Sequence, residues 1–134
     1  MTDDTQTAKR PSRAMVWTGR VISTLIVLMM GVGGLVTLLL NPDSVRKGMV
    51  QQGYPGEYAR IIVIVEVVCA LLYAIPRTAV LGAILLTGYL GGAVATHVRA
   101  GEPWFFPIVM GAIVWLGLFL RDPRVRELAP LRKL

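Results

Sequence analysis

One cysteine, Cys69, and one histidine, His97, occur in 134 residues, only 16% of the residues are charged, and aromatics make up 7%. A lone thiol cannot close an internal disulfide, form a CxxC redox pair or build a cysteine-based zinc cluster. A lone histidine leaves too few ligands for a metal site, which usually needs three or four, so no metal is expected. Scarce charge together with a mean hydropathy of +0.62 excludes a disordered chain. What fills the space is apolar: 54% of the residues are hydrophobic. A soluble domain of this length hides only about two-thirds of its surface, too little for so many Leu, Val and Ile. The chain therefore reads as one unit solvated by lipid.

Acidic residues are also few, eight against fourteen basic ones, for a net charge of +6. A basic surface can bind nucleic acid, but here the cations flank apolar runs and no nucleic-acid partner is expected. Lys9, Arg10, Arg13 and Arg20 lead into the first run, and Arg121, Arg124, Arg126, Arg132 and Lys133 follow the last. Such clusters read as topology signals and as attraction to anionic headgroups.

The polar residues 1–13 are read as a disordered cytoplasmic tail. Residues 21–40 hold no charge and twelve Leu, Ile or Val; twenty helical residues span about 30 Å, the hydrocarbon thickness of a bilayer. The run is too long for a signal-peptide core and lacks a small-residue cleavage site. Asn41 and Pro42 stop this helix and can start another, with Asn41 as cap, Pro42 at the first helical position and Gly53 closing it after Gln52. That short helix, with Val45 and Met49 on one side and Arg46 and Lys47 on the other, suits an interface. Tyr54, Pro55, Gly56 and Glu57 predict a type II turn. Further spans are expected over about residues 58–75, 78–98 and 104–120, with a tight connection at Pro76 and Arg77. The expected architecture is all-α: an integral membrane four-helix bundle over residues 14–122, with a short interfacial helix between the first two spans and a basic cytoplasmic tail at 123–134.

Ten Lys and Arg fall in the two tails and the second connection, and four in the first and third connections. The positive-inside rule then puts both termini in the cytoplasm and residues 41–60 outside. Trp17 and Trp104 fall near opposite interfaces.

Glu66 is the most informative position. Ten Leu, Ile or Val in residues 61–75 contribute roughly 3–6 kcal/mol to insertion, against a cost of about 2.5–3.5 kcal/mol for a central acid. It is either neutral, or facing a partner or water inside the bundle. Hydrogen bonding to a neighbouring helix, a ligand or proton site, and a tolerated position without role all remain open. Helical spacing aligns it with Ala70, Tyr73 and Arg77, and a straight hairpin about residues 76–77 sets it level with Thr87 or the Tyr89 region. His97 lies about 15 Å farther out and is read as interfacial or as a group at the outer mouth. Small residues recur every fourth position at Ala79, Ala83, Thr87, Gly91 and Ala95, beside Gly88, Gly92 and Thr96. Such ladders let helices approach closely in lipid; alternatively they leave room for a flat ligand or lipid tail. Gly31, Gly33, Gly34, Gly111 and Gly117 point to tight packing, Met29, Met30 and Met110 to core filling, and Cys69 to an inert apolar position.

The segment Gln52, Gly53, Tyr54, Pro55, Gly56, then the apolar helix with Glu66, then Pro76 and Arg77, then Gly88, Tyr89, Leu90, Gly91, Gly92 through Thr96, His97, Val98 and Arg99 resembles the DoxX-like family of small bacterial membrane proteins. The likeness covers about residues 18–122. It implies four membrane helices with a Gly-Tyr-Pro turn before the second, and relatives tied to quinol oxidation, membrane redox complexes or assistance of other membrane proteins. It marks Tyr54, Pro55, Glu66, Gly91, Gly92, Ala95, Thr96 and His97 and assigns none of them a reaction. Some distant relatives carry paired cysteines; here there is only Cys69.

The expected function is that of a non-catalytic accessory or binding protein. Its outer-half cavity near Glu66 would hold a lipid-like or quinone-like ligand or a protein partner, with Glu66, Tyr73, Thr87, Tyr89, Gly91, Gly92 and His97 as candidate contacts and Tyr54, Pro55 and Gly56 as the structural turn. Membrane lipids are expected partners, and a homo-oligomer or a membrane-protein partner is left open. The alternative is a subunit of a quinone-linked redox complex with Glu66 as proton carrier.

Overall fold

The computed structural model describes residues 11–128. The expected tails lie largely outside them, at 1–10 and 129–134. Among the described residues the chain is all-helical, without strands. Ser12 caps the first helix by accepting from the Met15 N–H at 3.2 Å. Helical structure then runs without a break through α1 (Arg13–Ile26), a π-helical segment (Val27–Val32) and α2 (Gly33–Leu40). Asn41 ends this rod and caps α3 (Pro42–Gln51) through its side chain, with Pro42 at the first position. Gly53 takes the left-handed conformation, φ 81°, that closes such a helix.

The expected type II turn is not formed. It needs a positive φ at its third residue, and Gly56 does not have one. Instead a single 3₁₀ turn (Gly56–Tyr58) leads straight into α4 (Ala59–Ala74): the Tyr58 N–H donates to the Pro55 carbonyl at 3.1 Å, so Gly56 joins the helical entry rather than a reverse turn. After the tight connection come α5 (Ala79–Ala100), closed by Gly101 at φ 71°, then α6 (Phe105–Arg121) and the short α7 (Pro123–Leu128).

The first rod changes partner along its length. α1 packs on α6, whereas the π segment and α2 pack on α4, and α5 sits between α4 and α6. The changeover coincides with the π segment, where one extra residue per turn re-aims the side chains. Glycines allow the closest approaches. A Cβ on Gly82 would overlap the Tyr73 backbone, and one on Gly19 would lie 2.6 Å from the Arg121 nitrogen. Gly82 belongs to neither strip of the small-residue ladder. The ladder glycines Gly88, Gly91 and Gly92 meet nothing within 4 Å, so they do not bring helices together within this chain.

The interior is thin: Ile26, Met30, Cys69, Tyr73, Leu86, Val114 and Leu118 form its centre. Met29, expected there, is half exposed. The exterior is apolar instead, with Leu25, Leu39, Ile61, Leu71, Ile84, Phe105 and many others exposed. Arg13–Leu40 and Ala79–Ala100 are long and apolar enough to cross a membrane. A continuous apolar shell of this extent marks a membrane protein.

Candidate functional site

α4 carries Glu66 toward α2 and α5. The Tyr89 phenol donates to Glu66 Oε2 at 3.1 Å, so the expected neighbour in the Tyr89 region is found and Thr87 is not. A Cβ on Gly34 would sit 3.2 Å from the same oxygen; glycine there makes room for the carboxyl. An acid and a phenol on two apolar helices each supply the hydrogen-bond partner that apolar side chains around them cannot.

On the other side of Tyr89 is a hollow of about 470 Å³ between α3 and α5. Its apolar lining comes from Met49 of α3 and Ile62 of α4, and Gly88, Gly92 and Ala93 form a bare strip of α5. Gln52, Tyr54, Tyr89, Thr96 and His97 supply the polar groups. Glu66 does not line the hollow. It stands behind Tyr89 and reaches it only through that phenol.

The rim is fastened by the segment after α3. Thr96 spends its proton on the Gly92 carbonyl, 2.9 Å, and therefore accepts from the Tyr54 hydroxyl at 3.0 Å. Arg99 lies over the Tyr54 ring at 4.9 Å and donates to the Gln52 carbonyl at 2.7 Å. Gln52 Nε2 donates to Glu102 at 3.1 Å. His97 Nδ1 faces the Ala93 carbonyl at 2.7 Å, which can only accept, so Nδ1 donates there, and Nε2 lies 3.8 Å from Glu102.

The other expected contacts lie elsewhere. Tyr73 is fully buried, donating to the Val114 carbonyl at 2.8 Å, accepting from Ser23 at 3.0 Å and covered by Arg121. Thr87 accepts from Trp115 Nε1 of α6 at 2.8 Å. Gly91 is exposed and is not part of the hollow's lining, and Pro55 and Gly56 form the turn beside α3. Met49, Gln52, Ile62, Ala93 and Arg99 were not anticipated. A cation two residues after His97, in a last helical turn where orphan carbonyls gather, was the signal for Arg99.

Among the side chains that line the hollow, Tyr89 and Tyr54 each commit their proton within the protein, which leaves their oxygens as acceptors, while Gln52 retains a spare N–H and the second ring nitrogen of His97 faces Glu102. Searches of curated proteins and of solved structures found no match. The family comparison did: residues 21–117 match the DoxX-like family, and the chain belongs to it.

Proposed function

We propose that this protein crosses a bacterial cytoplasmic membrane four times, with both termini in the cytoplasm, and that its outer-half hollow binds a lipid-like or quinone-like molecule whose head carries hydroxyl groups. Several features support the crossings. α4 and α6 have 16 and 17 residues, about 24–26 Å, and the apolar exterior continues over both. Spans slightly short of the hydrocarbon core are accommodated by local thinning. α3 turns Val45 and Met49 inward and leaves Arg46 and Lys47 exposed, as an interfacial helix does. The excess of Lys and Arg on the terminal side supports the orientation.

The observation that carries the ligand reading is the hollow's make-up: a glycine strip giving flat access, apolar walls, and the Tyr89 and Tyr54 oxygens as acceptors. Its volume falls in the usual range of roughly 300–1,000 Å³ for small-molecule sites. Acceptors favour a hydroquinone-type or alcohol head over a bare carbonyl. In the accessory reading the protein holds or presents this molecule without transforming it.

The second reading, a quinone-linked redox subunit, draws on one contact. Tyr89 touches both the hollow and Glu66, so a proton released in the hollow has a route to a carboxylate while electrons pass to a partner. A haem- or flavin-bearing protein copurifying in gentle detergent supports this reading.

The binding test is titration of the full chain in detergent with a short-chain hydroquinone and with its quinone. Binding of the hydroquinone about tenfold tighter than the quinone, and its loss in Gly92→Leu, which fills the strip, are the expected results. Equal binding by wild type and Gly92→Leu overturns the assignment.

A further inference from the structure

Away from the hollow, at the end of the molecule where α1 begins and α6 stops, a trough of about 830 Å³ runs between α5 and α6. Val80 of α5 and Leu116 and Phe119 of α6 form its walls, and α7 adds Val125. Two cations line it: Arg77 from the connection between α4 and α5, and Arg124 from α7.

These two differ from the other arginines nearby. Arg121 donates to the Tyr73 carbonyl and Arg126 to the Leu120 carbonyl, so both serve to hold helix ends. Among the described residues, the guanidinium groups of Arg77 and Arg124 take part in no hydrogen bond or ion pair. Asp122 is the acid in the lining, and its Oδ1 already accepts from the Arg124 backbone N–H at 2.9 Å. Two uncommitted cations beside an apolar trough are the complement of a molecule with an anionic head and a hydrocarbon tail. The lining residues of α6, Trp115, Leu116 and Phe119, extend for about 6 Å along its axis, and Trp115 stands about 9 Å from Arg121 at the helix end, so the apolar part continues into the depth of a bilayer rather than stopping at the headgroups.

We propose that this trough binds one anionic phospholipid from the leaflet on the side of the termini. Arg77 and Arg124 hold its phosphate, and an acyl chain lies along Val80, Leu116 and Phe119. The chain's own last residues, 129–134, are a poor alternative occupant, because Arg132 and Lys133 carry the same charge as the two arginines. The proposal is independent of the hollow beside Tyr89 and needs only that α5 and α6 be in a membrane.

The test offers the full chain, in mild detergent, equal amounts of phosphatidylglycerol and phosphatidylcholine with matched acyl chains, and counts retained lipid by native mass spectrometry. The wild type retains one phosphatidylglycerol with about tenfold preference. Arg77→Gln with Arg124→Gln reduces the preference to twofold or less, and neither side chain holds a helix, so the fold persists. Val80→Trp, which fills the trough and leaves both arginines, lowers retention as well. Arg46→Gln with Lys47→Gln, at the far end, leaves the preference intact. Equal retention of the two lipids by the wild type overturns the proposal. So does a preference that survives loss of Arg77 and Arg124, or one that disappears only when residues 129–134 are removed.

Discussion

Two tyrosines divide the polar work of the interior. Tyr89 reaches Glu66 and the hollow, whereas Tyr73 ties α4 to α1 and α6 through Ser23 and Val114. Both lie on apolar helices, and only their partners distinguish them. In Glu66→Gln the side-chain amide oxygen still accepts from Tyr89, so unfolding in mixed micelles should change by less than about 0.5 kcal/mol. Glu66→Leu removes the acceptor and frees the Tyr89 proton into the hollow, and hydroquinone binding should weaken about tenfold. Tyr73→Phe leaves the Val114 carbonyl and the Ser23 hydroxyl without their partner; a loss of about 1–2 kcal/mol is expected by the same unfolding measurement, with ligand affinity unchanged. The spacing of 66, 70 and 73 aligns these side chains along α4, whereas Arg77, expected on the same face, falls beyond the end of the helix because Ile75 is extended. It could not separate them by depth: seven residues are about 10 Å of helix, enough for Tyr73 to meet an entirely different pair of helices.

At the scale of elements, local chemistry was legible and packing was not. Asn41, Pro42 and Gly53 declare the limits of α3 because a cap, a fixed φ and a positive φ are decided within a few residues. The Pro-Gly pair at 55–56 suits a type II turn and a helical entry alike, and the bond from the Tyr58 N–H to the Pro55 carbonyl shows that the entry prevails. The π segment (Val27–Val32) leaves no composition signal at all. The small-residue ladder is plain in the sequence, yet the glycine that lets α4 and α5 meet is Gly82, outside it, while Gly88 and Gly92 border open space. Spacing identifies a smooth face but not what lies against it. Gly82→Ala should therefore cost about 1–3 kcal/mol through overpacking against the Tyr73 backbone, measured by unfolding in mixed micelles. Gly91→Ala, with nothing within 4 Å, should gain about 0.5–1 kcal/mol from helix propensity. A destabilised Gly91→Ala would mean that this face packs on a second molecule.

For the molecule as a whole, hydropathy announced the all-helical membrane protein and short motifs announced its DoxX-like membership, because both are written in composition and local order. The hollow was less legible. It is assembled from α3, α4 and α5, and its rim depends on Tyr54 meeting Thr96 and Gln52 meeting Arg99 across 42 and 47 positions of sequence. The orientation invites a direct check. In a Cys69→Ser background, a cysteine at Ser44 should react with a membrane-impermeant maleimide in intact cells. One at Glu127 should react only after permeabilisation; the reverse pattern would invert the topology.

The central claim is that a molecule in the hollow communicates with the carboxyl of Glu66 through Tyr89. Difference infrared spectroscopy of the reconstituted protein tests it most directly, with the Glu66 band identified by its absence in Glu66→Gln. Adding the short-chain hydroquinone should shift that band in the wild type and leave it unmoved in both Tyr89→Phe and Gly92→Leu. A Glu66 band indifferent to the hydroquinone in the wild type, while the molecule demonstrably binds, would contradict the account.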